Sequence, residues 1–247
     1  MTTPSPSQNR SGRHELAALL VLVGILLVGG VFRFYNVNWD EGTYHIHPDE
    51  RYTTMVITSI QWPASLADYF DTSRSPLNPR NVDKAFFYGT LPLFLTKSVA
   101  TAVGRTGYDE IHLVGRVISG LFDLGTVLLL YCLARRLFDW RVGLIASLLL
   151  ALTVLNIQGS HYFAVDTFLS SFVMLTIWFT IDVAEGKGWL SFLGLGLSMG
   201  LTLASKVSVF LLAAVVVVGV WIRVQRLVAQ GHDPGKTSLR AILGLVF

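Results

Sequence analysis

Ile111–Arg136, "IHLVGRVISGLFDLGTVLLLYCLARR", decides how the chain is read. From Ile111 to Ala134 it is apolar and long enough to cross a bilayer. It then stops on Arg135 and Arg136, with Arg141 close behind. Arginines just past a span stay in the cytoplasm, so this helix runs from outside to inside. That orientation fixes its neighbours. Downstream, Val142–Ile157 returns outward and Asp166–Val183 comes back in. Trp189–Ser205 goes out, and Val207–Ile222 comes in to Arg223 and Arg226, with Lys236 and Arg240 beyond. Upstream, Leu16–Phe32 is a first span preceded by Arg10 and Arg13. It is longer than a signal-peptide core and lacks an A-x-A cleavage pattern, so it is read as retained.

Composition agrees. Of 247 residues, 52% are hydrophobic and only 14% charged, too little charge for an ordinary soluble surface. The net charge of +3 comes without a basic tract interleaved with aromatics, so nucleic acid is not an expected partner. Cys132 stands alone and excludes an intrachain disulfide framework. The expected fold is an all-α polytopic membrane protein of about six spans. Residues 1–14 are expected to be a disordered cytoplasmic tail, and 15–247 a transmembrane domain. "SLRAILGLVF" (238–247) reads as the start of a further element, as in a chain incomplete at its C-terminus.

Residues 36–110 are mixed in character and are placed outside as one large first loop. Within it, Ala85–Gly104 is short, has an early Gly and Pro, and carries Lys97. It is expected to lie at the outer interface, because a crossing there would turn Arg135, Arg136 and Arg141 outward.

Polar groups then gather at the outer ends of the spans. Asp49 and Glu50 sit in the first loop within "YHIHPDERYTTMV" (44–56), Lys84 precedes the interfacial segment, and Arg116 is near the outer start of the second span. His161 and Asp166 occupy one outward turn and Lys206 another. Singly, a lysine or arginine there snorkels and a loop carboxylate is solvated. Jointly they make an outer cavity with both signs of charge. Asp123 lies midway through the second span, near the face of Arg116. It must face the bundle interior and find a donor, which gives it a structural or supporting role. Glycines 186, 188, 194, 196 and 200 suit close helix packing.

A carboxylate beside a cationic cavity at a membrane surface suits transfer from a phosphate-linked lipid. The carboxylate takes an acceptor hydroxyl's proton, and lysine or arginine offsets the leaving phosphate. His45 and His47 share a face if extended and, with Asp49, are candidate ligands for a divalent metal ion; nothing in the sequence requires a cofactor. Other readings are a multispan transporter, a lipid flippase, or a non-catalytic partner of a larger membrane transferase. A transporter would place its polar sites near the midplane.

Several stretches carry a resemblance. "HPDERY", "DKAFFYGTLPLFL", "GRVISGLFDLGTVLLLYCLARRLFDWRVGLIASLLLAL", "SHYFAVDTFLSSF" and "GLSMGLTLASKVSVFLL" follow one another in an order and spacing that resembles GT-C membrane glycosyltransferases. The likeness is to the N-terminal half of protein O-mannosyltransferases (family 39) and lipid A aminoarabinose transferases. It implies a GT-C-like bundle with a large first extracytoplasmic loop. It also implies inverting transfer of a sugar from a polyprenyl-phosphate donor to a protein, lipid or glycan hydroxyl, outside the cytoplasmic membrane. On this likeness Asp49 matches the catalytic carboxylate, with Glu50 its acidic neighbour. Lys84 matches a phosphate-contacting lysine, although the family's usual Pro-Pro pair is missing from this stretch. Asp166 matches the second-loop carboxylate and Lys206 the lysine after the Gly-rich span.

Overall fold

A computed structural model describes residues 6–43, 45–233 and 235, and every regular element among them is helical. The first helix, α1 (Pro6–Phe34), begins well before the apolar run, so residues 6–14 form its opening turns and not the unstructured tail that their composition suggested. Residues 1–5 and the expected further element at 238–247 lie outside the described residues. The first loop contains α2 (Pro48–Ser59), α3 (Leu66–Phe70), α4 (Pro79–Val82) and α5 (Leu91–Ala102). Then come α6 (Tyr108–Leu137), α7 (Trp140–Ala151), α8 (Val154–Ser160), α9 (Val165–Glu185) and α10 (Trp189–Ser205). A 3-10 turn (Val207–Leu211) leads into α11 (Leu212–Ala229).

Among the described residues, four helical stretches are long and apolar enough to cross a membrane: His14–Phe34, Tyr108–Leu137, Val165–Glu185 and Val207–Ala229. The third expected span is broken, since α7 and α8 meet at a 58° bend. The fifth, α10, is apolar but only 17 residues long. The segment expected at the interface holds α5, whose 12 residues reach roughly 18 Å, short of a hydrocarbon core.

The long helices α6, α9 and α11 run parallel and α1 runs opposite to them, with α7–α8 and α10 returning in between. A cavity at one end brings His14 and Glu15 of α1 against Arg135 and Trp140. At that end Arg136 also pairs with Asp182 at 2.7 Å, and Arg226 donates to the Ala184 carbonyl at 3.0 Å. The basic residues therefore share one end, opposite the loop helices. By the charge rule such an end is expected on the cytoplasmic side. In a Cys132→Ser background, Ser73→Cys and Lys187→Cys are expected to react with an impermeant thiol reagent from opposite sides, Ser73→Cys from outside; labelling of both from one side would contradict the alternation.

Central α6 packs against α1, α2, α5, α7, α8 and α9. Val56 and Ile57 of α2 and its C-cap Ile60 join Leu93, Ile111, Ile118, Phe163 and Phe168 in a core that holds α2 against α6. Burial of such side chains stabilises by roughly 1.5–3 kcal/mol each where water is the alternative. The fifth-span glycines divide. A Cβ on Gly194 would sit 2.4 Å from the Phe179 ring, so α9 and α10 do approach closely there; Gly196 and Gly200 face open space.

Candidate functional site

The sequence His47-Pro48-Asp49-Glu50 starts a helix. His47 is its N-cap, Pro48 gives up an N–H that a first turn leaves unpaired anyway, and the two carboxylates face the positive end of the helix dipole. Adjacent helical residues point about 100° apart. Asp49 is exposed, whereas Glu50 is wholly buried.

Glu50 accepts from Arg116 Nε at 2.8 Å and Nη2 at 2.6 Å, and from the Phe163 backbone N–H at 2.8 Å. The same guanidinium donates to both Asp40 oxygens, at 2.8 and 2.9 Å, and to the Val37 carbonyl at 2.9 Å. All five arginine N–H groups are thereby used. This corrects two expectations. Arg116 has no donor left for a donor phosphate, and Glu50 is held as a structural carboxylate. Together they tie the loop before α2, α2 itself and the turn between α8 and α9 to α6. The Asp40 carboxyl is held below its ordinary range by its hydrogen bonds to Arg116, against the opposing effect of burial. A lowered folded-state value stabilises above the unfolded pKa and is lost as pH falls through the folded one, so this contact persists well into acid.

A second buried pair lies deeper. Asp123 accepts from Arg33 Nε at 2.6 Å and from Asn156 Nδ2 at 2.9 Å. Arg33 also donates to the carbonyls of Gly29 and Ala151, each at 3.0 Å, and so caps the end of α7 where the span breaks. The structural expectation for Asp123 finds its donor here. Arg33 was missed, although a lone arginine closing one apolar run and a lone aspartate inside the next are complementary on the page.

Above Asp123 opens a cavity of about 400 Å³, lined by His47, Asp49, Asp123, Asn156, Tyr162 and Asp166, among others. Asp166 lies in the first turn of α9 and pairs at 2.8 Å with Lys206, the C-cap of α10. The first turns of α2 and α9 thus meet at one cavity. Tyr88, absent from the sequence reading, belongs beside them. Burial, then the charge and hydrogen bonding of Asp49 and the charge of Asp166, push its hydroxyl up to about 12, so it stays a protonated donor. Tyr88 is held by its neighbour: Gly89 N–H donates to the Ser205 carbonyl at 3.0 Å, and a Cβ on Gly89 would lie 1.9 Å from the Ala204 carbonyl oxygen. Gly89→Ala is therefore expected to lower stability by about 1–3 kcal/mol in thermal unfolding and to weaken turnover. Gly196→Ala should change neither.

The other expected site residues are dispersed. Lys84 is exposed and forms no ion pair among the described residues. His161 is pinned between the Ile157 and Tyr35 carbonyls, at 2.8 and 3.1 Å. The candidate metal ligands do not assemble. His45 takes a left-handed backbone (φ 58°), not the extended one that put it on the face of His47, and it packs on Tyr108 and His112. His47 instead packs on Tyr162. No three His, Cys, Asp or Glu among the described residues are grouped to hold a metal ion.

The family model of dolichyl-phosphate-mannose-protein mannosyltransferase matches residues 108–242, more than half of the chain. The chain belongs to that family. The match covers Arg116, Asp123, His161, Asp166 and Lys206, and begins after Asp49, Glu50 and Lys84. The fold is similar to one chain of the S. cerevisiae protein O-mannosyltransferase Pmt1–Pmt2 complex bound to the sugar donor, with a TM-score of 0.64 and 15% identity. The likeness covers 93% of this chain and 31% of that one, so this chain spans about a third of its length. No curated protein matches the chain at a significant level.

Proposed function

We propose that the chain forms the catalytic part of a GT-C glycosyltransferase that moves a sugar, with inversion, from a polyprenyl phosphate to an acceptor hydroxyl at the outer face of the cytoplasmic membrane. One observation carries this reading: the exposed Asp49 carboxylate opens on the same cavity as Asp166, which pairs with Lys206. Asp49 takes the proton of the acceptor hydroxyl. The acceptor oxygen attacks the anomeric carbon from the face opposite the phosphate, and the sugar–phosphate C–O bond breaks. The electron pair leaves with polyprenyl phosphate, whose growing charge Lys206 and the two helix N-termini offset. The protonated Tyr88 hydroxyl beside Asp49 orients that carboxylate. Apolar helix faces hold the lipid tail. Family likeness supports the donor class; sugar and acceptor stay open, and Lys84 enters only through the resemblance.

Lys206→Ala tests the phosphate assignment. The phosphate is charged in the ground state as well, so both donor binding and single-turnover rate are expected to fall, by about ten- to a hundredfold in all. Unchanged binding and rate would remove Lys206 from the site. A flippase would bind the same lipid without transferring its sugar, so turnover of a labelled donor separates the two readings.

A further inference from the structure

One seam of the bundle lies apart from the proposed reaction cavity. Along α1 and α7 runs a groove of about 380 Å³, walled by Val21, Ile25 and Val28 on one side and Leu144, Leu148 and Leu152 on the other. Gly24 forms part of its lining, and a Cβ there would meet nothing within 4 Å. At the basic end of the same two helices lies a second cavity of about 250 Å³, lined by His14, Glu15, Ala18, Arg135 and Trp140. From Glu15 to Val28 α1 rises about 20 Å, the scale of a fatty acyl chain.

The Glu15 carboxylate and the Arg135 guanidinium line this cavity, with His14 beside them. Neither Glu15 nor Arg135 forms an ion pair among the described residues. Three neighbouring charges are committed elsewhere. Asp139 caps α7 by accepting from the Arg141 and Val142 N–H groups, Arg136 pairs with Asp182, and Arg141 lies over the Trp140 ring. An occupant that satisfies both groups carries an anion and a hydrogen-bonding cation above an apolar tail. Trp140 suits the headgroup level, where tryptophan is enriched.

We infer that the α1–α7 seam is a binding site for a zwitterionic aminophospholipid, with its phosphate on Arg135, its primary ammonium on Glu15 and one acyl chain along Gly24 and Leu148. Glu15 sets the head-group preference. A quaternary ammonium cannot donate a hydrogen bond to it, and a head group without a cation leaves it facing a phosphate.

The test is native mass spectrometry of the full chain, released from nanodiscs with equal amounts of phosphatidylethanolamine, phosphatidylglycerol and phosphatidylcholine of matched acyl chains. The wild type is expected to retain one phosphatidylethanolamine, in excess over the other two by about fivefold, the effect of one charged contact near a headgroup. Glu15→Gln should move that preference to phosphatidylglycerol. Arg135→Ala should lower retention of both, and Gly24→Phe, which fills the groove, should lower retention of all three. Glu15 and Arg135 are exposed, so their variants keep the fold. Equal retention of the three lipids by the wild type overturns the site, as does an unchanged preference in Glu15→Gln.

Discussion

Replacing Arg116 with leucine is expected to cost about 3–5 kcal/mol of stability, enough to leave little folded protein after extraction. The reason is what remains behind. Asp40 and Glu50 are 3% and 0% exposed, and each receives two of its hydrogen bonds from that guanidinium. Without it, two carboxylates stay buried side by side, and one or both must take up protons to remain there. Two further results follow. The deficit should shrink as pH is lowered, and Arg116→Leu combined with Asp40→Asn and Glu50→Gln should recover much of the loss, because neutral amides remove the uncompensated charge. Arg116→Lys should not rescue, since an ammonium has three donors where five are used. Denaturant or thermal unfolding in detergent measures this. A stable Arg116→Leu protein with weakened donor binding would instead restore Arg116 to the phosphate site.

The helices and their alternation were legible because each long apolar run is bounded by charge. Arg135, Arg136 and Arg141 carried the sequence argument for the parity of the chain, and the 12-residue α5 is short for a further crossing. Among the candidate residues, Asp49, Asp123 and Asp166 line one cavity, but the geometry that separates Asp49 from Glu50 was not legible. Asp49 and Glu50 are neighbours with equal chemistry; only the docking of α2 on Ile111, Ile118 and Phe163 decides which one turns inward to Arg116. Composition did not announce the partner of Asp123, because Arg33 sits one residue past a run that reads as uninterrupted. Tyr88 is placed by a backbone contact between Gly89 and Ser205, which no local pattern encodes. The metal reading failed on one torsion, at His45.

The second large effect belongs to Asp49. Asp49→Asn is expected to reduce transfer by at least about a hundredfold, and up to ten-thousandfold, the range of general-base contributions. Stability should change little, because the side chain is exposed and outside the Arg116 network. Asparagine keeps the size and an acceptor oxygen for Tyr88, but it cannot take the acceptor's proton. Donor binding should persist, since the phosphate contacts proposed here come from Lys206 and the helix N-termini. Glu50→Gln is the necessary comparison. It weakens an ion pair that holds the fold, so it should lower the melting temperature while the folded fraction keeps turning over. Asp40→Asn should behave likewise.

The most direct measurement is single-turnover transfer from a labelled polyprenyl-phosphate sugar by the full-length protein in detergent, with donor binding measured separately on the same Asp49→Asn and Glu50→Gln preparations. The account predicts normal donor binding with transfer lost in Asp49→Asn, and transfer per folded molecule retained in Glu50→Gln. Near-normal transfer by folded Asp49→Asn would contradict it, because the cavity would then hold no base where the chemistry needs one.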